Sequence, residues 1–247
     1  MVTRHAIIVG ASSGIGRAVS EQLIQRGWHV GIAARRLDKL EEVMALAPER
    51  VHAKAIDVTD SDAPTLLEQL IADTGGMDLY FHASGIGHQN PSLDEDIELR
   101  TTNTNAMGFT RMVGAAFRYM AEHGGGHIAV ISSIAGTKGL GPAPSYSATK
   151  ALQNTYIQAL EQLANQRRLK IRFTDIRPGF VDTELLNDGH HYPLMLQTED
   201  VALKAVRAIE QGRHIQVIDW RWRVITAFWR RIPRWVWRRF RLLNVEC

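Results

Sequence analysis

Short apolar runs rich in β-branched residues alternate with longer stretches of helical periodicity through the first 220 residues, and this alternation restricts the fold more than any other feature. Strand candidates fall at 6–10, 30–34, 51–57, 79–83, 127–132, 170–176 and 215–219, with helix candidates near 14–26, 37–47, 61–73, 95–123, 145–167 and 199–211. That is the pattern of a parallel sheet covered on both faces. The expectation is one α/β domain with a doubly wound parallel sheet of seven strands, whose ligand site lies beyond the carboxyl ends of the strands.

The 247 residues suit one large domain or two small ones, and 45% apolar with 22% charged residues excludes a disordered, collagen-like or disulfide-stapled chain. Cys247 is the single cysteine, which rules out an intrachain disulfide and a cysteine-based metal cluster and leads us to expect a reducing, cytoplasmic setting. No apolar run approaches the roughly 18 to 20 residues that span a bilayer, and the opening MVTRHAIIVGASSG lacks the apolar core of a secretion signal. The formal net charge of +3 conceals an asymmetry. Residues 221–247 hold eight arginines against Glu246, a balance of +7 that leaves −4 on residues 1–220. Five of the six tryptophans, at 220, 222, 229, 235 and 237, lie in or beside this stretch. The chain therefore divides into a mildly acidic body, 1–220, and a basic Trp/Arg-rich extension, 221–247.

The first strand candidate runs into Gly10-Ala-Ser12-Ser13-Gly14-Ile15-Gly16, and a helix follows near Arg17. Glycines in such a turn let the backbone approach a pyrophosphate, whose charge is favoured by free N–H groups at the helix N-terminus. The spacing G-x-x-x-G-x-G resembles the short-subunit branch of the short-chain dehydrogenase/reductase family. Other segments extend the resemblance over about residues 5–219, in the family's order. Asp57-Val58 matches its adenine-side Asp-aliphatic pair, Asn105 with Gly108 its N-x-x-G, and Tyr146-Ser-Ala-Thr-Lys150 its Y-x-x-x-K. Ser133 stands 13 residues before Tyr146, as the family's catalytic serine does, and Pro178-Gly179 with Thr183 matches its P-G-x-x-x-T. Two positions depart: Val9 replaces the usual threonine, and His82-Ala83-Ser84-Gly85 replaces N-N-A-G, losing an asparagine that normally ties neighbouring strands together.

The resemblance implies a Rossmann-type domain that interconverts a carbonyl and an alcohol by hydride transfer. Asn105, Ser133, Tyr146 and Lys150 would be catalytic. The glycine turn, Arg35, Arg36, Asp57, Val58, Ala83, Gly85, Tyr146, Lys150, Pro178, Gly179, Val181 and Thr183 would hold the cofactor. It further implies a homodimer or homotetramer paired through the helices at 95–123 and 145–167. In the family the lysine also binds the nicotinamide ribose, the serine bonds the substrate oxygen, and the asparagine holds a water that links the lysine to solvent.

The residues themselves choose the cofactor and the acid. At the end of the second strand an Asp or Glu would accept hydrogen bonds from a ribose 2′-hydroxyl, whereas arginine suits a 2′-phosphate through its planar donor fork. The chain has Ala33-Ala34-Arg35-Arg36, which predicts NADP(H), with Arg35 the main clamp and Arg36 its helper. Tyr146 and Lys150 lie four apart on a helix and so share a face. A neighbouring ammonium favours the phenolate of a tyrosine whose free pKa is about 10, bringing it toward the working range of an acid/base catalyst.

Other features carry less. The ten histidines include the adjacent pair His190 and His191, but no carboxylate stands at metal-ligand spacing, so no metal site is expected. The loop 180–197, where the family has its variable substrate region, mixes apolar residues with acids and histidines and suggests an apolar pocket without naming the substrate. In the extension, Val224, Ile225, Phe228, Trp229 and Ile232 recur at helical spacing among arginines, and Pro233 can start a second short helix carrying Val236, Trp237, Phe240 and Leu243. Contact with the inner face of a membrane and packing on the protein's own domain or a partner subunit are equally compatible with this pattern; nucleic-acid binding is not expected. The function expected is an NADP(H)-dependent oxidoreductase that interconverts a carbonyl and an alcohol on an apolar or lipid-like substrate, with Tyr146 as acid/base. The alternatives are a catalytically silent nucleotide-sensing or scaffold protein on the same fold, which would have no need of Ser133, Tyr146 and Lys150 together, and an epimerase or dehydratase, whose C-terminal region is usually longer.

Overall fold

Seven strands, β1 (His5–Val9), β2 (His29–Ala34), β3 (Val51–Ala55), β4 (Leu79–His82), β5 (Gly126–Ile131), β6 (Ile171–Arg177) and β7 (Ile215–Val217), pair in parallel in the order β3-β2-β1-β4-β5-β6-β7. The computed structural model describes residues 3–186 and 192–239, the side chain of Leu185 excepted. Among the described residues seven α-helices complete the body: α1 (Gly14–Gln25), α2 (Leu37–Met44), α3 (Ala63–Thr74), α4 (Glu95–Thr102), α5 (Phe109–Glu122), α6 (Pro144–Gln166) and α7 (Thr198–Glu210). The extension adds α8 (Trp220–Arg231) and α9 (Arg234–Trp237).

Both faces of the sheet are covered, which is why its strands are apolar at successive positions rather than at alternate ones. In β1, Ala6 and Ile8 pack with Val19 and Leu23 of α1, Leu40 of α2 and Val201 of α7. Ile7 and Val9 point the other way, onto Leu67 of α3, Phe109 and Met112 of α5 and Ile157 of α6. Chain order reverses between β1 and β4, so the loops leaving these two strands part and open a cleft at their carboxyl ends.

Two expectations change in detail. The helix expected over 95–123 is interrupted by a π-helical turn, Asn103–Gly108, between α4 and α5. Within it Asn105 is fully buried and bonds the backbone of Ile86 in both directions, accepting from its N at 2.9 Å and donating to its O at 2.6 Å. Such a turn inserts an extra residue into the helical ladder and re-aims a side chain, here toward the cleft loop.

The second change concerns the extension, whose apolar residues were expected on one face and in fact divide between two. Trp222 is 3% exposed and Thr226 is buried, and Ile225 and Trp229 pack against the same core, whereas Val224 and Phe228 face outward. The cause is Trp222. Its indole fills the space that a side chain at Gly179 would need, and its ring meets Phe180 edge-on at 5.6 Å, which fixes the rotation of α8. Lys138 Nζ donates to Ile232 O at 2.9 Å and Trp237 Nε1 to Gly139 O at 2.8 Å, so α8 and α9 both lie against the protein's own body. Among the described residues no helix is long and apolar enough to cross a membrane. His190, His191, Phe240, Leu243 and Cys247 lie outside the described residues.

Candidate active site

The glycine turn connects β1 to α1 at the mouth of the cleft. Gly10 has φ +92°, and a β-carbon there would fall 2.5 Å from the backbone N of Ser84, so the position excludes every side chain. Gly10 N and Ala11 N both donate to Ala33 O, at 2.8 and 3.2 Å, which ties the turn to the end of β2. Ser13 caps α1 in an extended conformation but makes no side-chain cap bond. The N–H groups of the first turn of α1 therefore remain for an anionic ligand, as the sequence predicts for a pyrophosphate.

Around this turn the chain builds a cavity of about 670 Å³. Gly10, Ser12, Ser13, Gly14, Ile15 and Gly16 line it, as do Arg35, Arg36, Asp57, Val58, Ala83, Gly85, Pro178, Gly179, Val181 and Thr183. Asp57 is oriented by Thr59, whose N and Oγ1 donate to Asp57 Oδ1 at 2.9 and 2.7 Å. The two arginines differ. Arg36 Nη2 reaches Ser13 Oγ at 3.1 Å, Ser12 Oγ at 3.3 Å and Glu184 Oε2 at 3.1 Å, which lays its guanidinium over the turn. Arg35 is exposed at the rim, with no side-chain hydrogen bond among the described residues. Free N–H donors, a glycine-lined approach and two guanidinium groups form a donor set that fits a nicotinamide dinucleotide.

Ser133, Tyr146 and Lys150 meet at the inner part of the same cavity. Ser133 follows β5 with its Oγ accepting from Ala135 N at 3.0 Å. Tyr146 and Lys150 share a face of α6, and Lys150 Nζ lies 5.7 Å from the centre of the Tyr146 ring. Burial raises the Tyr146 pKa, and a hydrogen bond with Ser133 pulls it partly back. Burial pushes Lys150 down to about 8, while the nearby Asp175 charge resists that shift. The lowered tyrosine expected from the sequence is therefore not a property of the protein groups alone: desolvation outweighs the Ser133 hydrogen bond. Asn105 does not line the cavity. It is buried beneath the cleft loop, bonded to the backbone of Ile86.

The short chain dehydrogenase family model matches residues 4–191. The chain belongs to the short-chain dehydrogenase family. An uncharacterized oxidoreductase of Myxococcus xanthus is 32% identical over 241 residues, covering 94% of each chain. The crystal structure of a putative short-chain alcohol dehydrogenase from Sinorhizobium meliloti superposes with a TM-score of 0.80 at 26% identity, covering 91% of this chain and 98% of that one. A variant actinorhodin polyketide ketoreductase, crystallised with NADPH, superposes with a TM-score of 0.77 at 22% identity, covering 87% and 95%. At that identity the likeness concerns the fold.

Three parts of this short-chain dehydrogenase's site escape a motif reading. Gln153, one turn after Lys150, accepts from Lys150 Nζ at 3.0 Å and donates through Nε2 to Asn105 O at 2.9 Å; its spacing on the helix was the available signal. Asp175 takes Arg177 on one oxygen, from Nε at 2.8 Å and Nη2 at 2.6 Å, and Ser132 Oγ on the other. Trp222 and Trp229, from beyond the family match, wall the cavity beside Leu140, Pro142 and Tyr192. The histidine that stands in place of the strand-tying asparagine does not bridge strands: His82 is buried, its Nδ1 bonds Tyr80 OH on its own strand at 2.9 Å, and its ring packs edge-on to Phe109 of α5 at 5.1 Å. His82 is held neutral by burial, its pKa near 3, so it adds no charge beside Lys150.

Proposed function

We propose that this oxidoreductase interconverts a carbonyl and an alcohol with NADP(H), on an apolar substrate, with Tyr146 as the acid/base. The observation that carries the reading is the meeting of Ser133, Tyr146 and Lys150 in one cavity with the glycine turn and both arginines. The cofactor supplies or accepts the hydride when bound. Its phosphates suit the N-terminus of α1, its adenine the Asp57-Val58 edge, and a 2′-phosphate suits Arg35 and Arg36. The NADPH in the related ketoreductase structure supports that choice by analogy.

Ser133 Oγ and Tyr146 OH would donate to the substrate oxygen, fixing it before charge develops there. In reduction Tyr146 gives its proton to that oxygen and is left as a phenolate, which the Lys150 ammonium stabilises. In oxidation the proton returns to the phenolate. Substrate contacts fall to Leu140, Pro142, Phe180, Tyr192, Trp222 and Trp229, an aromatic and aliphatic wall that favours an apolar chain or ring. Exposed Leu99, Met107, Leu152 and Leu163 on α4, the π-helical turn and α6 support a homo-oligomer paired through that face.

Oxidation of NADPH and NADH by the purified enzyme, across straight-chain aldehydes and ketones of increasing length, tests the reading. Turnover with NADPH well above NADH is expected, and Arg35→Asp should reverse or erase the preference. No turnover with any carbonyl, or a cofactor ratio untouched by Arg35→Asp, overturns the reaction or the cofactor assignment respectively.

A further inference from the structure

Helix α8 has two apolar faces. The inner one holds Trp222 and Trp229 against the cavity; the outer one carries a ridge of residues four apart, Trp220, Val224 and Phe228, exposed by 67%, 46% and 68%, which Trp235 of α9 continues at 61%. A continuous row of large exposed apolar side chains marks an interaction surface. Its surroundings state the partner's charge: residues 220–239 contain seven arginines and no acid, on a chain whose first 220 residues carry −4.

We propose that the outer face of α8 and α9 docks on an anionic lipid surface, with the ridge in the interface and the arginines among the headgroups. Tryptophan and arginine both suit that depth, the ring at the headgroup level and the guanidinium reaching out on its alkyl stem. A second copy of this chain fits less well, because pairing this face with itself sets the arginines against each other with no acid in the segment to offset them. Nucleic acid would satisfy the arginines but would leave Val224 and Phe228 in water. The pairing of faces has a consequence for access: docking sets the cavity beside the lipid, because one helix forms both surfaces. Delivery of an apolar carbonyl from the bilayer rests on the reaction proposed above; the docking itself does not.

Sedimentation of the full chain with sucrose-loaded vesicles reads docking without reading activity. Vesicles of phosphatidylcholine with phosphatidylglycerol should pull the protein down, those of phosphatidylcholine alone much less, and high salt should release it. The double variants Trp220→Ser/Phe228→Ser and Arg223→Glu/Arg230→Glu should each partition roughly tenfold or more weakly, at unchanged thermal stability because all four side chains are exposed. Equal partitioning on neutral and anionic vesicles overturns the proposal. So does wild-type partitioning by both variants, retention on heparin without vesicle binding, or a change from dimer to monomer when Trp220 and Phe228 are replaced.

Discussion

Lys150 and Gln153 share a 3.0 Å hydrogen bond on α6, and through the same amide Lys150 is joined to the backbone carbonyl of Asn105. Gln153 is fully buried, so its carbonyl is a fixed partner for an ammonium that has little water around it. Bonding to the charged form favours that form. Lys150, with a pKa near 8, is cationic below that pH and neutral above it, and in the proposed mechanism the cation is what stabilises the Tyr146 phenolate. The alkaline limb of kcat/KM for reduction should therefore report the coupled Tyr146–Lys150 pair near pH 8. Gln153→Leu removes a stabiliser of the cation and should move that limb to lower pH. Gln153→Glu sets a carboxylate beside it and should move the limb up by roughly one unit or more. Lower activity with an unmoved limb in both variants would make Gln153 merely structural.

Tyr146→Phe removes the proton donor and keeps the ring. We expect kcat to fall by about 10² to 10⁴. NADPH affinity, followed by fluorescence, should stay close to wild type, since the glycine turn and the arginines are untouched. Equal losses in affinity and turnover would place Tyr146 in binding rather than in proton transfer.

How far these residues were legible depends on the range of the interaction that places them. Strand and helix order follows from local periodicity, and β1 shows why: every residue from Ala6 to Val9 is buried, so the run is apolar throughout. The glycine turn and the Tyr146–Lys150 pair are also local, set by a turn and by helix spacing. Gln153 was only half legible: its spacing from Lys150 is local, but its bond to the Asn105 carbonyl exists only once the π-helical turn brings that carbonyl to α6. The extension failed as a single amphipathic face for the same reason: Trp222 and Phe228 are equally apolar, and a contact with Gly179, distant in sequence, decides which of them turns inward.

The buried ion pair behind the site should be felt as stability. Arg177 and Asp175 have side chains 11% and 3% exposed, and Asp175 also accepts from Ser132 Oγ. Arg177→Met strands a carboxylate in the interior, and urea unfolding should show a loss of about 3 to 5 kcal/mol. Asp175→Asn/Arg177→Met removes both charges and should recover much of it. The same double variant takes a negative charge away from Lys150, whose pKa it holds up, so the alkaline limb should move to lower pH. A limb that stays in place would separate the ion pair from the catalytic lysine.

Trp229 offers a test of what the cavity selects. Its ring lines the cavity, meets Trp222 at 6.3 Å and Trp237 at 5.7 Å, and so presents a wall braced by two other tryptophans. A methylene packed on such a wall gains about 0.8 kcal/mol, or roughly fourfold in kcat/KM. Along a series of straight-chain aldehydes, log kcat/KM should therefore climb with length in the wild type until the wall is covered. In Trp229→Ala the climb should flatten over those same carbons while the shortest aldehyde reacts as before, because Ser133, Tyr146 and Lys150 are unchanged. A uniform fall across the series would place Trp229 in support of α8 rather than in substrate choice.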